Sequence, residues 1–194
     1  TMRVMREGGG GELQGACVPF IDGAPLGRGC NRMDWAPDGS LFVGQTKHTW
    51  AGGQGIQQVS WNGETPFEIQ NMELTKKGFK FTFTQPVDKK VALEKENWRF
   101  KRYFFEYRKA YGSPRSGEKS VAISKIEISG NGTIVEIALS ELTPWHIHEV
   151  NIQNITALNG APLANGYIAY TLNRLLGETT PDPLQIKIDS KKGS

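Results

Sequence analysis

Cysteine and histidine are scarce in this chain. Its 194 residues contain two cysteines, Cys17 and Cys30, and three histidines, His48, His146 and His148. So few soft ligands argue against a zinc site. The lack of a Cys-x-x-Cys-His run excludes covalent haem attachment within this chain. An excess of charge is also missing, because 23 basic residues against 20 acidic ones leave a net charge of +3. That balance does not provide the electrostatic grip nucleic acid demands. No run of about 18 apolar residues is present, so no membrane-spanning helix is expected. Nor does a charged-then-apolar leader open the chain; if the protein is exported, its signal is expected upstream. The glycine-rich start lacks the Lys-Ser/Thr pair of a phosphate-binding loop. Nucleophile elbow, paired carboxylates and metal triad are equally missing, so no complete catalytic site is expected here.

What the chain does have is glycine, 23 residues of it, much of it in Asn-Gly and Asp-Gly pairs that punctuate short runs. This pattern predicts an all-β protein. The most informative stretch is Cys30 to Trp61. Pro37-Asp38-Gly39-Ser40 is turn chemistry, with Pro setting φ, Asp capping local backbone and Gly accepting φ > 0. Met33 and Trp35 before it and Leu41 and Val43 after it alternate at period two, which predicts two half-buried strands joined by a tight turn. Gly44 closes the second strand, Gly52-Gly53-Gln54-Gly55 forms a corner, and Ile56 to Trp61 resumes as a third strand ended by Asn62-Gly63. The pattern reads as the outer hairpin of a β-propeller blade, with room for little more than one blade where a closed ring needs several.

Before it, the first nine or so residues, ending in Gly8-Gly9-Gly10-Gly11, read as flexible or as a loop cut from its context, and Leu13 to Phe20 as a strand. From Phe67 a second pattern begins. Phe79, Phe81 and Phe83 share one face of a strand, with Lys80, Thr82 and Thr84 on the other, which marks the three rings as core. Lys89 to Glu96 has the composition of a short helix. Trp98 and Phe100 continue a strand, and Val121 to Ser129 alternates into Gly130-Asn131-Gly132. Val135, Ile137 and Leu139 return on one face. Strands to Ile152 and from Tyr167 to Leu172 complete roughly seven strands, the number in an immunoglobulin-like sandwich. The expected fold is therefore all-β: a partial propeller blade over residues 1–62, an immunoglobulin-like or fibronectin-like β-sandwich over 63–176, and a tail over 177–194.

Several residues could carry chemistry. His146 and His148 share a strand face and could chelate a metal, but no third ligand is evident. Leu142-x-Pro144 followed by His148 also resembles the corner where sandwiches place a tyrosine that ties a loop, and the His148 ring can make that bond. Trp98 to Tyr111 interleaves aromatic and basic residues. Strand alternation sends about half the rings inward, leaving a core and domain-interface role alongside carbohydrate contact. Tyr111-Gly112-Ser113-Pro114-Arg115 is the part most expected to be exposed. Asn131-Gly132-Thr133 and Asn154-Ile155-Thr156 match the N-glycosylation pattern without a secretory context to support it. Cys17 and Cys30 could close a loop worth about 3 kcal/mol or stand as thiols.

Asn31-Arg32-Met33-Asp34-Trp35, Pro37-Asp38-Gly39, Leu41-Phe42-Val43-Gly44-Gln45-Thr46 and Trp50 resemble the closing portion of bacterial glucose/sorbosone dehydrogenase-like propellers. Thr65-Pro66-Phe67-Glu68-Ile69, Gly78-Phe79, Phe83-Thr84-Gln85-Pro86-Val87-Asp88, Tyr111-Gly112-Ser113-Pro114 and Tyr170-Thr171-Leu172-Asn173-Arg174 are similar to the sandwich that follows them. The resemblance spans about residues 12 to 175. It implies a large, exported, multi-domain parent, periplasmic or extracellular, in some cases carrying cytochrome c modules. Such propellers bind pyrroloquinoline quinone and calcium and oxidise sugar hydroxyls, a histidine base taking the proton and the quinone the hydride. No histidine here matches that base, so no catalytic role is carried over. The implied function is a non-catalytic C-terminal portion of a sugar-oxidising or sugar-binding propeller protein. Its partners would be the remaining blades and, through His48, Trp50, Tyr111 and Arg115, carbohydrate. An interaction or spacer module, and a quinone-dependent dehydrogenase whose catalytic blades lie outside this chain, are the alternatives.

Overall fold

A computed structural model describes residues 2–9, 12–21, 26, 29–46 and 53–177. The strands are β1 (Met2–Gly9), β2 (Glu12–Pro19), β3 (Cys30–Trp35), β4 (Leu41–Thr46), β5 (Gly53–Val59), β6 (Ile69–Leu74) and β7 (Gly78–Phe83). After a helical turn, α1 (Lys89–Ala92), come β8 (Trp98–Phe105), β9 (Arg115–Val121), β10 (Ile123–Ile128), β11 (Ile134–Leu139), β12 (His146–Ile152) and β13 (Tyr167–Leu172). They form three antiparallel sheets, none closed: β1-β2-β13-β12-β8-β9, β10-β11-β7-β6 and β3-β4-β5. The all-β expectation holds. No helix among the described residues is long and apolar enough to cross a membrane.

The chain divides into two compact units. The smaller comprises the described residues between Phe20 and Thr65 and carries the three-stranded sheet. Its hairpin forms where turn chemistry placed it: Gly39 N–H donates to Ala36 O at 2.9 Å, Ala36 N–H to Ser40 O at 2.8 Å, and the Asp38 carboxylate accepts from both N–H and Oγ of Ser40. Gly39 sits at φ 82°, open to glycine without strain. Register pairs Met33 with Val43 and Trp35 with Leu41, and Leu41 in turn with Val59, so these side chains share a face. Phe42 and Ile56 belong to the opposite face. Leu41 and Val43 are buried, whereas Trp35 is 62 % exposed, Ile56 74 %, and Met33, Phe42 and Trp61 are also exposed.

The larger unit contains Arg3–Pro19 and the described residues from Pro66 onward, so its membership differs from a split at 62/63. Met2–Gly9 is a strand rather than a flexible start, and β2 pairs with β13 through Ala16↔Tyr170 and Cys17↔Ala169. This hairpin covers an edge that β13 would otherwise expose. Gly10 and Gly11, Asp22-Gly23, Gly52 and the tail from 178 lie outside the described residues.

Core formation in this unit follows from period-two alternation. Phe79, Phe81 and Phe83 point from β7 toward the six-stranded sheet. Phe79 lies 4.9 Å from Tyr170 and 6.2 Å, nearly parallel, from Phe100; Phe81 lies 5.3 Å from Trp98. All three rings are buried, as are Val150, Ile168, Tyr170 and Leu172 facing them. Two departures from expectation are instructive. Helix α1 spans Lys89–Ala92 and a 3-10 turn follows at Lys95–Asn97, instead of one helix to Glu96. Asn97 Nδ2 donates to Val91 O and Trp98 Nε1 to Ala92 O, so side chains satisfy the carbonyls a longer helix would use. Strand β9 is polar, Arg-Ser-Gly-Glu-Lys-Ser-Val, and offers no alternation to read. Val121 closes it by pairing with Phe100. Ile123 pairs with Leu139, so the chain changes sheet at Ala122.

Candidate functional site

Four strands of the six-stranded sheet converge on one buried carboxylate. Glu149 on β12 lies on the face opposite the core, as do Tyr103, which shares Ile147's register, and Tyr167 opposite Asn151. Arg115 opens β9 beside Phe105. Only 5 % of Glu149 is exposed, and its carboxylate is fully engaged. Arg115 Nη2 approaches Oε2 at 2.9 Å, the Tyr167 hydroxyl donates to the same oxygen at 3.1 Å, and Asn151 Nδ2 donates to Oε1 at 3.3 Å. The Arg115 guanidinium also lies 4.2 Å from the Tyr103 ring centroid, a cation–π contact.

Electrostatics follow from this packing. Burial, reinforced by the Glu149 charge, pushes Tyr167 up to about 12 and raises Tyr103 as well, although Arg115 opposes the latter. Burial alone would lower Arg115, but the Glu149 carboxylate overrides it and the guanidinium is held above its ordinary value. Both phenols therefore stay protonated, and each oxygen of the carboxylate already has a donor. Its chemistry is that of a clamp tying β8, β9, β12 and β13.

Above the clamp is the loop from Glu106 to Pro114. Glu106 N–H donates to Ser113 Oγ at 2.9 Å, Ser116 Oγ to Glu106 Oε1 at 3.0 Å, and Arg108 Nε to Gly112 O at 2.9 Å, with Gly112 at φ 72°. These bonds hold Tyr107 95 % exposed and Tyr111 entirely so, with Phe105 half-exposed at their foot, edge-on to Tyr103 at 5.5 Å.

Of the residues singled out from sequence, Arg115 and Tyr111 therefore sit at the foot and tip of one loop. His48 and Trp50 lie outside the described residues. Cys17, half-buried on β2, and exposed Cys30 on β3 stand as thiols and form no disulfide. Glu149, Tyr103, Tyr167 and Tyr107 were not anticipated as a group. The available signal was a carboxylate inside an apolar strand, Ile147-His148-Glu149-Val150.

His148 is fully buried beside Phe79, their rings 5.8 Å apart. Its Nε2 accepts from Thr143 N–H at a long 3.4 Å, the loop contact foreseen for a corner residue, while Nδ1 is buried without a partner. Burial, with the neighbouring His146, brings its pKa down to about 4. His146 Nδ1 donates to Pro144 O at 2.8 Å. Among the described residues no group of three His, Cys, Asp or Glu side chains could hold a metal ion.

No family model and no curated protein matches this chain. It is similar to two solved structures. One, the crystal structure of the S-layer protein rSbsC(31-844), is 18 % identical with a TM-score of 0.43 over 56 % of this chain. The other, surface layer protein SbsC, domains 1-6, is 17 % identical with a TM-score of 0.41 over 55 %. The chain spans 14 % of the length of each. At that level of superposition neither likeness bears on fold or function.

Proposed function

We propose that this chain is a non-catalytic C-terminal portion of an exported, propeller-bearing sugar-oxidising or sugar-binding protein, in which it sets the geometry of adjoining domains. One observation carries this reading: the β3-β4-β5 sheet has apolar side chains on both faces. An antiparallel sheet standing in water keeps one face polar. Here Trp35 and Met33 lie on one side and Phe42 and Ile56 on the other, all exposed. Arg32, Asp34 and Gln58 share the face of Phe42 and Ile56, so that side is mixed; exposed apolar side chains on both sides nonetheless suit a blade flanked by further blades. The motif resemblance to glucose/sorbosone dehydrogenase-like propellers, from Asn31 to Trp50 and onward, supports the same parentage.

An immunoglobulin-like assignment for the larger unit draws support from strand order. β6-β7-β11-β10 against β8, β12 and β13 follows the ABED and CFG arrangement of such sandwiches. In this reading pyrroloquinoline quinone and calcium belong to the preceding blades. This chain's own contribution is positioning.

The test is expression of the chain joined to its upstream segment. Hydroxyl-radical footprinting should show Trp35, Met33 and Ile56 protected relative to the chain alone. Dye-linked sugar oxidation with added quinone and calcium should appear only in the longer protein. Activity from this chain alone, or no protection of Trp35, would overturn the reading.

A further inference from the structure

We infer that the free edge of β10 receives β10 of a second copy of this chain, the two strands antiparallel about a two-fold axis at Ile126. This pairing concerns the larger unit alone and stands apart from the propeller reading.

Strand β10 ends the order β10-β11-β7-β6, and among the described residues no strand lies beyond it. Its open main-chain groups follow from the pairing with β11. Ser129 N–H donates to Ile134 O at 3.0 Å, and bonding alternates along an antiparallel pair. The main chain of Glu127 and Lys125 therefore also turns to β11, while that of Ile126 and Ile128 turns outward. Lys95 Nζ donates to Ile123 O and Ser124 O, both at 3.0 Å, and so covers the beginning of the edge. What is left open is a short stretch around Ile126. Such an edge is a template for another strand.

Charge selects the occupant and its register. Outward-facing residues must meet outward-facing residues, so a two-fold axis within this stretch passes through Lys125, Ile126 or Glu127. An axis at Lys125 sets lysine against lysine, and one at Glu127 sets glutamate against glutamate. The axis at Ile126 sets Lys125 against Glu127 of the other copy twice over, at the unbonded positions where side chains approach most closely. The strand is thus complementary to itself, as a two-fold interface requires.

The surrounding sheet favours the same outcome. Lys125 and Glu127 have side chains 65 % and 61 % exposed and pair with each other at 2.7 Å. Glu127 lies directly opposite Glu136, and Glu136 opposite Lys80, whose ammonium sits on Glu73 at 2.6 Å. Among the described residues Lys125 is thus the one cation paired with either of two adjoining carboxylates, and like charges set opposite are unfavourable. A second copy brings a second lysine to Glu127. Ile126 and Ile128 pack against the core but remain half-buried. Pairing sets Ile126 beside its own copy and withdraws apolar surface that the edge leaves wet.

The experiment follows the full 194-residue chain by sedimentation from about 10 μM to about 1 mM, with amide hydrogen exchange at both ends of that range. A reversible dimer is expected, with exchange at Ile126 and Ile128 slowed as it forms. Lys125→Glu and Glu127→Lys should each weaken association about tenfold or more, because two matched pairs become two like-charged ones. The double variant Lys125→Glu/Glu127→Lys should regain it. Mixing the two single variants should restore it as a heterodimer, which a variant that had merely lost its fold could not do. A chain that stays monomeric throughout the range would overturn the inference, as would association indifferent to these reversals. So would a dimer in which Ile126 and Ile128 exchange as fast as in the monomer. Each failure leaves the propeller reading intact, because footprinting of the longer protein decides that separately.

Discussion

Arg115 is held by Glu149 across the face of the six-stranded sheet, Nη2 to Oε2 at 2.9 Å, with the carboxylate buried and the guanidinium half open to solvent. The partners are unequal in what their loss would do. Removing the arginine strands a buried negative charge, whereas removing the carboxylate frees a cation that water can solvate.

Arg115→Ala is therefore expected to cost about 2 kcal/mol, in the range for an unsatisfied buried group. The loss should be smaller when Glu149→Gln is already present. Urea denaturation of the two single variants and the double variant measures the coupling. Additive effects would show that the pair does not act as a clamp.

At alkaline pH the same cluster has a second signature. Tyr167, raised to about 12 by burial and Glu149, keeps its proton after an unfolded tyrosine near 10 has lost it. Its contribution is fully present below pH 10 and is lost as pH rises toward 12. Tyrosinate absorbance should include a fraction ionising late in the native protein, which Tyr167→Phe removes.

Acid acts through His148. With a folded pKa of about 4 against an ordinary value of 6.5, it stays neutral in the fold while the unfolded chain takes up a proton. Its contribution is fully present above pH 6.5 and declines as pH falls to 4. A shift of this size corresponds to about 3 kcal/mol. Thermal melts of the wild-type chain and His148→Phe across this window should differ in slope. Parallel profiles would show that another group governs acid lability.

Close packing at the start of β7 predicts a sharp penalty. A Cβ at Gly78 would lie 1.9 Å from Ile137 O in the paired strand β11. Backbone must move to admit it, so Gly78→Ala should cost about 1–3 kcal/mol. Phe79→Ala, which empties the centre of the ring cluster, should cost about 3–5 kcal/mol. Denaturant midpoints order the two.

Trp35→Ser and Ile56→Ser make the opposite case. Both side chains stand exposed, so this chain's stability should change by no more than about 0.5 kcal/mol. Assembly with the upstream blades should weaken. A large loss of stability in the isolated chain would mean that these residues already serve a core.

Much of the architecture can be read along the chain, and the reasons are local. Phe79, Phe81 and Phe83 alternate with polar residues, so their strand and buried face follow from geometry that each residue carries. Pro37-Asp38-Gly39-Ser40 closes the hairpin by bonds among immediate neighbours. Where alternation fails, reading fails: β9 has no apolar rhythm, and its place beside β8 is set by partners in another segment. The Gly8-Gly9 run looked loose because glycine has no intrinsic preference for order, yet it ends a strand.

By itself, then, the sequence determined the all-β class, the Pro37-to-Ser40 turn with the strands beside it and the inward faces of the core strands, all properties of short-range stereochemistry. Gly44 and Gly53 to Gly55, read as a strand end and a corner, lie instead within β4 (Leu41–Thr46) and β5 (Gly53–Val59). Only tertiary structure decided that β2 lies against β13, that Glu149 gathers Arg115, Tyr103 and Tyr167, and that Tyr107 and Tyr111 stand in water while Tyr103 does not. Those outcomes join residues tens of positions apart. Which strands become neighbours is settled by the free energy of the whole packed unit, and no single segment encodes it.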